Sequence, residues 1–313
     1  MKGSAARDGD ILLPHRRPGR ARRCCDMIDA HKIDLHMHST ISDGTDAPEA
    51  LLDCVKEAGL ELFSLTDHDA VKGCIMVRRV LGAGDPRFLN GVEFSCRDEA
   101  GKYHILGYDY DPDGASICSV VAKGHRLRME KLMVRLDFIR REFGFSFPEE
   151  EVRGLMSLNN PGKPHIGNLM VKYGYAENKE QAIDEYIDRA KVRSEYIRPE
   201  EAIEGILQSG GIPVLAHPVY GSGSELILSE EMESRLRKLI GFGLQGVEAF
   251  YSGFSPKLQA ESLALAEKYD LYVTAGSDYH GTNKLTPLGN THFNPNQPIP
   301  EGLTRFLEAV HLS

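Results

Sequence analysis

Two short segments of the sequence carry pairs of metal-ligand residue types at the same spacing. The segment KIDLHMHSTISDG places His36 and His38 two positions apart, with Asp43 five residues later. The segment GSDYHG repeats that spacing with Asp278 and His280. Residues i and i+2 of a strand point to the same face, so each pair would present its two side chains together. Imidazole and carboxylate groups that converge in this way suit a divalent transition metal.

Four single residues of the same types follow or lie in other apolar runs. His68 lies in TDHD, Glu93 in GVEFS, His104 in YHILGY and His217 in AHP. Each run is interpreted as a strand that ends near its ligand, and α/β barrels collect their active sites at the C-terminal ends of strands. We therefore expect one metal pocket lined by nine side chains: His36, His38, Asp43, His68, Glu93, His104, His217, Asp278 and His280. Asp67 and Asp69, which flank His68, are expected to orient a ligand.

The elements that must position these residues alternate between strand and helix patterns. Buried strands are predicted at apolar runs such as LELFSL, IPVLA and LYVTAG, separated by amphipathic helical segments. This alternation predicts an α/β fold with a mainly parallel sheet or barrel. It stops near Pro112, and residues 113–197 show helical spacing without a convincing strand. We predict a barrel formed by residues 31–112 and 198–313, and a helical insertion, residues 113–197, that caps its mouth.

Composition excludes several classes of protein. The net charge of −9 argues against a nucleic-acid binder that relies on a basic surface. No run of about 18 apolar residues is present, so no membrane span is expected. The six cysteines form no CxxC pair and no secretory signal is recognised. These features predict free thiols in a reducing cytoplasm.

The first 30 residues differ from the rest of the chain. HRRPGRARRCC is rich in arginine and lacks hydrophobic periodicity, which predicts a disordered extension. A nucleic-acid-binding arm is the alternative. Met27 is a second candidate for the start of the chain, because the ordered pattern begins close to it.

The ordered series DLHMHSTISDG, TDHD, GVEFS, YHILGY, AHP and GSDYHG resembles the PHP family, named for polymerase and histidinol phosphatase domains. The resemblance covers about residues 32–112 and 198–290. The insertion, with GKPHIGNLMVKYG inside it, is similar to that of PHP proteins described as metal-dependent phosphoesterases. This resemblance implies a distorted seven-stranded barrel and two to three divalent ions, with manganese expected and iron or zinc as alternatives.

The resemblance also implies how the ligands are shared. The implied sets are His36, His38, Glu93 and Asp278 for the first metal, Glu93 as a bridge with His104 and His217 for the second, and Asp43, His68 and His280 for the third. Glu93, Asp278 and His217 would act in catalysis, with a hydroxide that bridges two metals as the nucleophile. Substrate phosphate would be bound by Arg128, Lys163 and His165 in the insertion.

The predicted activity is hydrolysis of a small phosphorylated ribose compound. A cyclic phosphodiester such as a phosphoribosyl cyclic phosphate is favoured, with onward hydrolysis of the monoester. A nucleotide 3′,5′-bisphosphate phosphatase or a 5′–3′ exoribonuclease is the alternative, so nucleic acid would be a partner only as a short RNA or nucleotide substrate. An amidohydrolase is disfavoured because no predicted strand ends in a metal-bridging lysine. A non-catalytic, metal-stabilised scaffold is disfavoured because the ligand set is complete.

Overall fold

The computed structural model describes residues 28–192, 195–220 and 226–312. Seven strands in this part of the chain form one sheet whose spatial order is the chain order. The strands are β1 (Ile33–Asp34), β2 (Leu62–Leu65), β3 (Arg87–Asp98), β4 (Gly101–Tyr108), β5 (Ile212–Leu215), β6 (Gly246–Tyr251) and β7 (Tyr272–Gly276). The arginine-rich segment, with Cys24, Cys25 and Met27, lies outside the described residues.

The sheet curves until its first and last strands meet. The backbone N–H of Leu35 donates to the carbonyl of Ala275 at 2.9 Å, and that of Asp278 donates to the carbonyl of His36 at 2.7 Å. Just beyond β1, Met37 forms a parallel bridge with Tyr279. These bonds nearly close a barrel, which confirms the predicted α/β fold with a distorted seven-stranded barrel.

The centre of the sheet is antiparallel, whereas the other strand pairings are parallel, as the prediction of a mainly parallel sheet requires. β3 and β4 pair antiparallel from Gly91↔Tyr108 to Asp98↔Gly101, and β4 pairs antiparallel with β5. Only two residues connect β3 to β4, and so short a connection permits only a hairpin. The expectation that every ligand ends a strand is therefore wrong for Glu93 and His104, which lie within the long strands of this hairpin.

Helices surround the barrel. In the described part of the predicted insertion, the regular elements are all helices or helical turns. The helices of the chain are α1 (Pro48–Glu57), α2 (Lys72–Val80), α3 (Ala115–Phe143), α4 (Glu149–Ser157), α5 (Lys163–Lys172), α6 (Lys179–Gln181), α7 (Pro199–Gln208), α8 (Ser229–Gly241), α9 (Pro256–Lys268) and α10 (Glu301–Ala309). A π-helical turn (Ala182–Tyr186) and a 3₁₀ turn (Ile187–Arg189) follow α6. None of the helices in the described ranges has both the length and the apolar character that crossing a membrane requires.

The helix boundaries follow from local sequence. Prolines occupy the beginnings of α1, α7 and α9, where the fixed φ suits a first turn and a missing N–H costs nothing. The longest helix, α3, ends where Gly144 takes a φ of +72° and its N–H bonds the carbonyl of Arg140. That left-handed conformation favours glycine because it has no Cβ.

The insertion has an apolar cluster of its own. Leu132 and Ile139 of α3 pack with Ile166 and Met170 of α5, and all members of this cluster belong to the insertion. Burial of each large aliphatic side chain stabilises the fold by about 1.5–3 kcal/mol. This part of the insertion therefore packs around its own interior, whereas Ile117, Val120 and Leu127 of α3 join the barrel core.

Several polar contacts join the insertion to the barrel mouth, and three of them lie close to predicted ligands. Nε of Arg128 donates to Oδ2 of Asp69 at 2.6 Å, and the side-chain amide of Asn160 donates to the carbonyl of His68. Nζ of Lys179 donates to Oδ1 of Asn283 at 3.0 Å. All three barrel partners are predicted ligands or lie within three residues of one, so the helices lie over the end of the barrel that carries the ligands. The division into two domains stays a prediction.

Candidate metal centre

The segment that carries His36 is tied to the end of β7 by Asp34. Its buried carboxylate accepts hydrogen bonds from the backbone N–H groups of His36, Ser277 and Gly289 at 3.2, 2.9 and 2.8 Å. At Gly276 a Cβ would overlap the Cβ of His36. The chain therefore needs glycine there, because the end of β7 approaches the first histidine so closely.

Glu93 is buried at the centre of the cluster, and three histidines face its Oε1 atom. Nδ1 of His104 lies 2.8 Å away, Nε2 of His217 lies 3.2 Å away and Nε2 of His36 lies 3.4 Å away. The antiparallel register places Glu93 and His104 on the same face of the hairpin. One carboxylate oxygen is thus shared by side chains from three separate parts of the barrel.

The other oxygen of Glu93 faces two more histidines. Oε2 lies 3.0 Å from Nδ1 of His68 and 3.2 Å from Nε2 of His38. Asp278 provides the second carboxylate of this region, with Oδ1 3.3 Å from the same nitrogen of His38. His36 and His38 lie beyond the two-residue β1 in extended chain, yet both contact Glu93 and Asp278, as the i, i+2 spacing predicts.

The remaining predicted ligands adjoin this centre. Nε2 of His280 lies 3.3 Å from Oδ1 of Asp43, and its Nδ1 lies 3.4 Å from Oδ1 of Asp278. Nδ1 of His38 lies 3.8 Å from the same Asp43 oxygen. All nine predicted ligands therefore converge. Ligand atoms lie within 4.8 Å of one another in four overlapping groups: His38, Asp43, His68 and His280; His36, His38 and Asp278; His36, Glu93 and His217; His68, Glu93 and His104.

Several buried atoms that face the cluster have no hydrogen-bond partner within the described structure. They are Nε2 of His36, Nε2 of His38, Oδ1 of Asp43 and Oε2 of Glu93. A buried polar atom without a partner costs about 1–3 kcal/mol. Divalent cations would satisfy all four atoms, so these residues fit the predicted metals. The sharing of ligands among individual ions stays a prediction.

The protonation states of Glu93 and His68 suit metal binding, whereas His36 and His38 would each have to release a proton to bind an ion. Burial alone would lower the pKa of these two histidines, but neighbouring carboxylates raise that of His36 well above its usual value and that of His38 to about 9. Burial alone would raise the pKa of Glu93, but the neighbouring His104, His68 and His36 hold it well below the usual range. Burial lowers the pKa of His68 well below its usual value, although the negative charge of Glu93 acts in the opposite direction. Charged carboxylates and neutral imidazole are the forms that bind a metal.

Sequence reasoning missed Glu248, which lies on β6 and is fully buried. Its Oε1 accepts from Nδ1 of His36 at 2.9 Å, and its Oε2 accepts from the backbone N–H of His217 at 2.8 Å. His217 has a φ of +26°, a region that residues other than glycine rarely adopt. The signal was present, because GVEAF places a lone carboxylate in a buried run, as GVEFS does around Glu93.

A lysine and a tyrosine at Asp278 were also missed. Nζ of Lys284 lies 2.6 Å from Oδ2 of Asp278, and the hydroxyl of Tyr251 donates to the same oxygen at 2.8 Å. Burial alone would lower the pKa of Lys284, but Asp278 raises it. Lys284 therefore brings a positive charge to the edge of the cluster, and nothing in its local sequence indicated this.

Asp67 and Asp69, which flank His68, form their hydrogen bonds with residues other than His68. Asp67 accepts from the backbone N–H and hydroxyl of Ser39 at 2.8 and 2.7 Å, which fixes the chain just after His38. Asp69 pairs with Arg128 and accepts from the backbone N–H of Ser95 at 3.0 Å. Among their described hydrogen bonds, none goes to the His68 ring.

The three predicted phosphate-binding residues differ in their surroundings. Nη2 of Arg128 donates to the hydroxyl of Ser95 at 2.8 Å, and that hydroxyl lies 3.5 Å from Nδ1 of His68. His165 accepts from the backbone N–H of Gly162 at 3.0 Å, and burial together with nearby Arg128 lowers its pKa.

Lys163, by contrast, forms an ion pair with another residue of the insertion. Its Nζ lies 2.5 Å from Oδ1 of Asp188. Arg128 is thus the predicted phosphate-binding cation that lies directly beside the cluster, and the roles of all three residues stay predictions.

Comparison with known proteins relates this geometry to a family and its activities. The family model described as PHP domain matches residues 34–277. A 3′,5′-nucleoside bisphosphate phosphatase from Chromobacterium violaceum is 27% identical over 290 residues, covering 88% of this chain and 96% of that protein. A phosphoribosyl 1,2-cyclic phosphate 1,2-diphosphodiesterase from Eggerthella lenta is 27% identical over 258 residues, covering 79% and 94%. A 5′-3′ exoribonuclease from Haemophilus influenzae is 29% identical, covering 80% and 90%.

Solved structures give the same result for the fold. A protein from Bifidobacterium adolescentis, described as a candidate metal-dependent phosphoesterase, superimposes with a TM-score of 0.75 at 26% identity, covering 91% of this chain and 99% of that one. A protein from Chromobacterium violaceum described as an amidohydrolase gives a TM-score of 0.73 at 24% identity, covering 89% and 96%. The second likeness concerns the fold alone.

Proposed function

Because the chain belongs to the PHP domain family, as its sequence motifs predict, we propose that it hydrolyses phosphate esters of small ribose compounds. The chain is a metal-dependent phosphoesterase, as its family and relatives named as phosphatase, phosphodiesterase and exoribonuclease indicate.

The observation that carries this function is the carboxylate of Glu93 between five imidazoles. Both of its oxygens have nitrogen ligands around them, as a carboxylate that bridges two cations requires. Divalent ions held there would supply Lewis-acid charge and lower the pKa of a bound water. We propose two to three ions, with manganese as the metal and iron or zinc as alternatives, since this ligand set suits all three.

The protein's own residues would bind and orient the ester. Arg128 is held beside His68 by Asp69 and Ser95, so its guanidinium lies where a phosphoryl oxygen would enter. Neutral His165 would donate to a further oxygen. Asp278 and His217 would keep their ligand geometry through Tyr251 and Glu248, which bond them directly.

For the substrate we propose a cyclic ribose phosphodiester, in an enzyme that works in the cytoplasm. The net charge of −9 is more compatible with a small substrate than with a long nucleic acid. The alternatives are a nucleoside 3′,5′-bisphosphate, which is the substrate named for one relative, and the 5′ end of a short RNA, since another relative is named as a 5′-3′ exoribonuclease.

A substrate panel tests the proposal. Purified protein loaded with Mn²⁺ is assayed for phosphate release and for ring opening with a phosphoribosyl cyclic phosphate, adenosine 3′,5′-bisphosphate and a 5′-phosphorylated RNA trinucleotide. The highest kcat/KM is expected for the cyclic compound, with loss of activity in Glu93→Gln. Activity on none of these esters, with full metal occupancy, would overturn the proposed function.

A further inference from the structure

A row of cations continues along α3 beyond Arg128. Lys131 and Arg135 follow it at intervals of three and four residues, which keeps all three on one face of the helix. Gly124 precedes them on this face and approaches Asp69 of the barrel so closely that a Cβ would touch that side chain. The face of α3 that meets the barrel mouth at Arg128 therefore bears two further positive charges farther along the helix.

Two more cations lie on the face of the β3–β4 hairpin that carries Glu93 and His104. Side chains alternate along a strand, so Glu93, Ser95 and Arg97 share one face of β3. In the antiparallel register Arg97 pairs with Lys102, just as Ser95 pairs with His104. At about 3.4 Å per residue, Arg97 lies about 14 Å along the strand from Glu93. The second cationic pair thus lies on the same surface as the metal ligands, farther from the centre.

Tyr196 joins the two rows. Nζ of Lys131 lies 3.4 Å from the centre of its ring, and the guanidinium carbon of Arg97 lies 5.5 Å from it. Tyr196 and Arg97 also border an open groove of about 500 Å³. Its lining includes Asp98 and Glu99, which pair with Lys238 and Arg198, and also Glu195. We call Arg97, Lys102, Lys131 and Arg135 the α3 cation patch, and the groove meets this patch at Arg97.

The α3 cation patch lacks acidic partners. Within the described ranges, no carboxylate lies within 4.0 Å of any of its four charged groups, and the nearby acids Asp69 and Asp188 pair with Arg128 and Lys163. Burial, with the charges of Arg128, Arg135 and Lys102, lowers the pKa of Lys131 to about 8. Lys102, Lys131 and Arg135 are half-buried, whereas Arg97 is exposed. Half-buried like charges without counter-ions are unfavourable, and a bound anion would relieve their repulsion.

We propose that the α3 cation patch binds a second phosphate group of the substrate, distinct from the one that is hydrolysed. This inference rests on the proposed function and narrows it to substrates with at least two phosphates. The second phosphate can be on the same ribose, as in a phosphoribosyl cyclic phosphate or a nucleoside bisphosphate, or in the backbone of a short RNA. Both sources present the same anionic oxygens to lysine and arginine.

The test is the double variant Lys131→Met/Arg135→Met in the full-length, Mn²⁺-loaded protein. Its matched control is Arg126→Met, because Arg126 is an exposed cation of the same helix that faces Glu130. Adenosine 3′,5′-bisphosphate and a 5′-phosphorylated RNA trinucleotide are compared with p-nitrophenyl phosphate, which has one phosphate. The ratio of kcat/KM for a multiphosphate substrate to that for p-nitrophenyl phosphate is expected to fall at least about tenfold, mainly through KM.

The two substrates identify the source of the second phosphate. A fall for both indicates a phosphate on the same ribose, and a fall for the trinucleotide alone indicates the RNA backbone. An unchanged ratio for both, or the same fall in the control variant, would overturn the inference.

Calorimetry separates this inference from the proposed function. Adenosine 3′,5′-bisphosphate and adenosine 5′-monophosphate are titrated into each metal-loaded protein. The double variant is expected to lose at least about tenfold in affinity for the bisphosphate and much less for the monophosphate, whether or not either is hydrolysed. Equal losses for the two nucleotides would contradict a second phosphate site. Thermal unfolding confirms that each variant is folded.

Discussion

Nδ1 of His36 donates a hydrogen bond to Oε1 of Glu248 at 2.9 Å, and both side chains are fully buried. The bond keeps a proton on Nδ1, so Nε2, which faces Glu93 and Asp278, is the nitrogen that would bind a metal. The other oxygen of Glu248 holds the backbone of His217. One carboxylate that faces away from the cluster therefore orients two of its ligands.

The first prediction follows from that contact. In Glu248→Gln the charge that favours the Nδ1–H tautomer of His36 is lost, while the shape of the side chain is kept. We expect about a 10–100-fold weaker Mn²⁺ affinity, with activity partly restored by excess metal. Metal titrations of activity and metal analysis measure this, with Glu230→Gln, an exposed residue of α8, as control. Unaltered metal affinity would show that Glu248 does not support the cluster.

The second prediction concerns Glu93, whose two oxygens face different sets of histidines. Two neighbouring dications repel each other strongly, and an amide supplies no charge to offset the repulsion. Glu93→Gln is expected to remain folded, to bind less metal and to lose at least about a hundredfold in hydrolysis. Metal analysis and initial rates on one preparation decide this. Full occupancy with near-normal turnover would mean that Glu93 is not a bridge.

The third prediction separates substrate binding from metal binding. Arg128→Ala is expected to raise KM for the best substrate at least about tenfold, because a charge-assisted contact to a phosphoryl oxygen is lost. Metal content should stay unchanged, since Arg128 contacts Asp69 and Ser95 and no predicted ligand directly. His165→Ala should behave similarly, and Arg126→Ala is the matched control. A parallel loss of metal would show that Arg128 supports the cluster instead.

The metal centre was predictable because its residue types recur in ordered motifs. The spacing of His36 and His38 needed only a short extended segment to bring both side chains to one face, and the structure keeps that relation although β1 has two residues. The antiparallel hairpin was not predicted, because periodicity gives the faces of β3 and β4 but not their direction. Glu248 was missed because it contacts His36 across 212 positions of sequence, and such a contact depends on barrel closure.

The α3 cation patch, too, was predictable only in part. The positions of Arg128, Lys131 and Arg135 on one face of α3 follow from helical spacing alone. That Lys102 faces the same space depends on the hairpin register, and the position of Tyr196 depends on the pairing of Cys96 with Ile197. Helical periodicity within α3 therefore predicts a row of charges, whereas its use as a site emerges only from tertiary structure.

The last prediction concerns pH and Lys131, whose pKa is lowered to about 8 in the folded protein. The charged groups around it are Arg128 and Arg135 on α3, Arg97 and Lys102 on the hairpin, and Asp69 after β2, with the Tyr196 ring against its Nζ. As pH rises through about 8, Lys131 loses its proton and its charge, while the same lysine in the unfolded chain stays protonated to about pH 10.5.

Two effects of opposite sign follow for Lys131. The unfolded state binds more protons between about pH 8 and 10.5, so this group makes the free energy of unfolding rise with pH in that window. Affinity for a second phosphate should fall over the same window, because the attraction of a positive charge is lost.

The measurement is KM for adenosine 3′,5′-bisphosphate divided by KM for p-nitrophenyl phosphate, which cancels pH effects common to both substrates at the metal centre. We expect this ratio to rise at least about threefold between pH 7 and 9 in the unmodified protein. In Lys131→Arg the rise should disappear, since a guanidinium stays charged throughout this range. The same rise in Lys131→Arg would assign the pH dependence to another group and remove Lys131 from phosphate recognition.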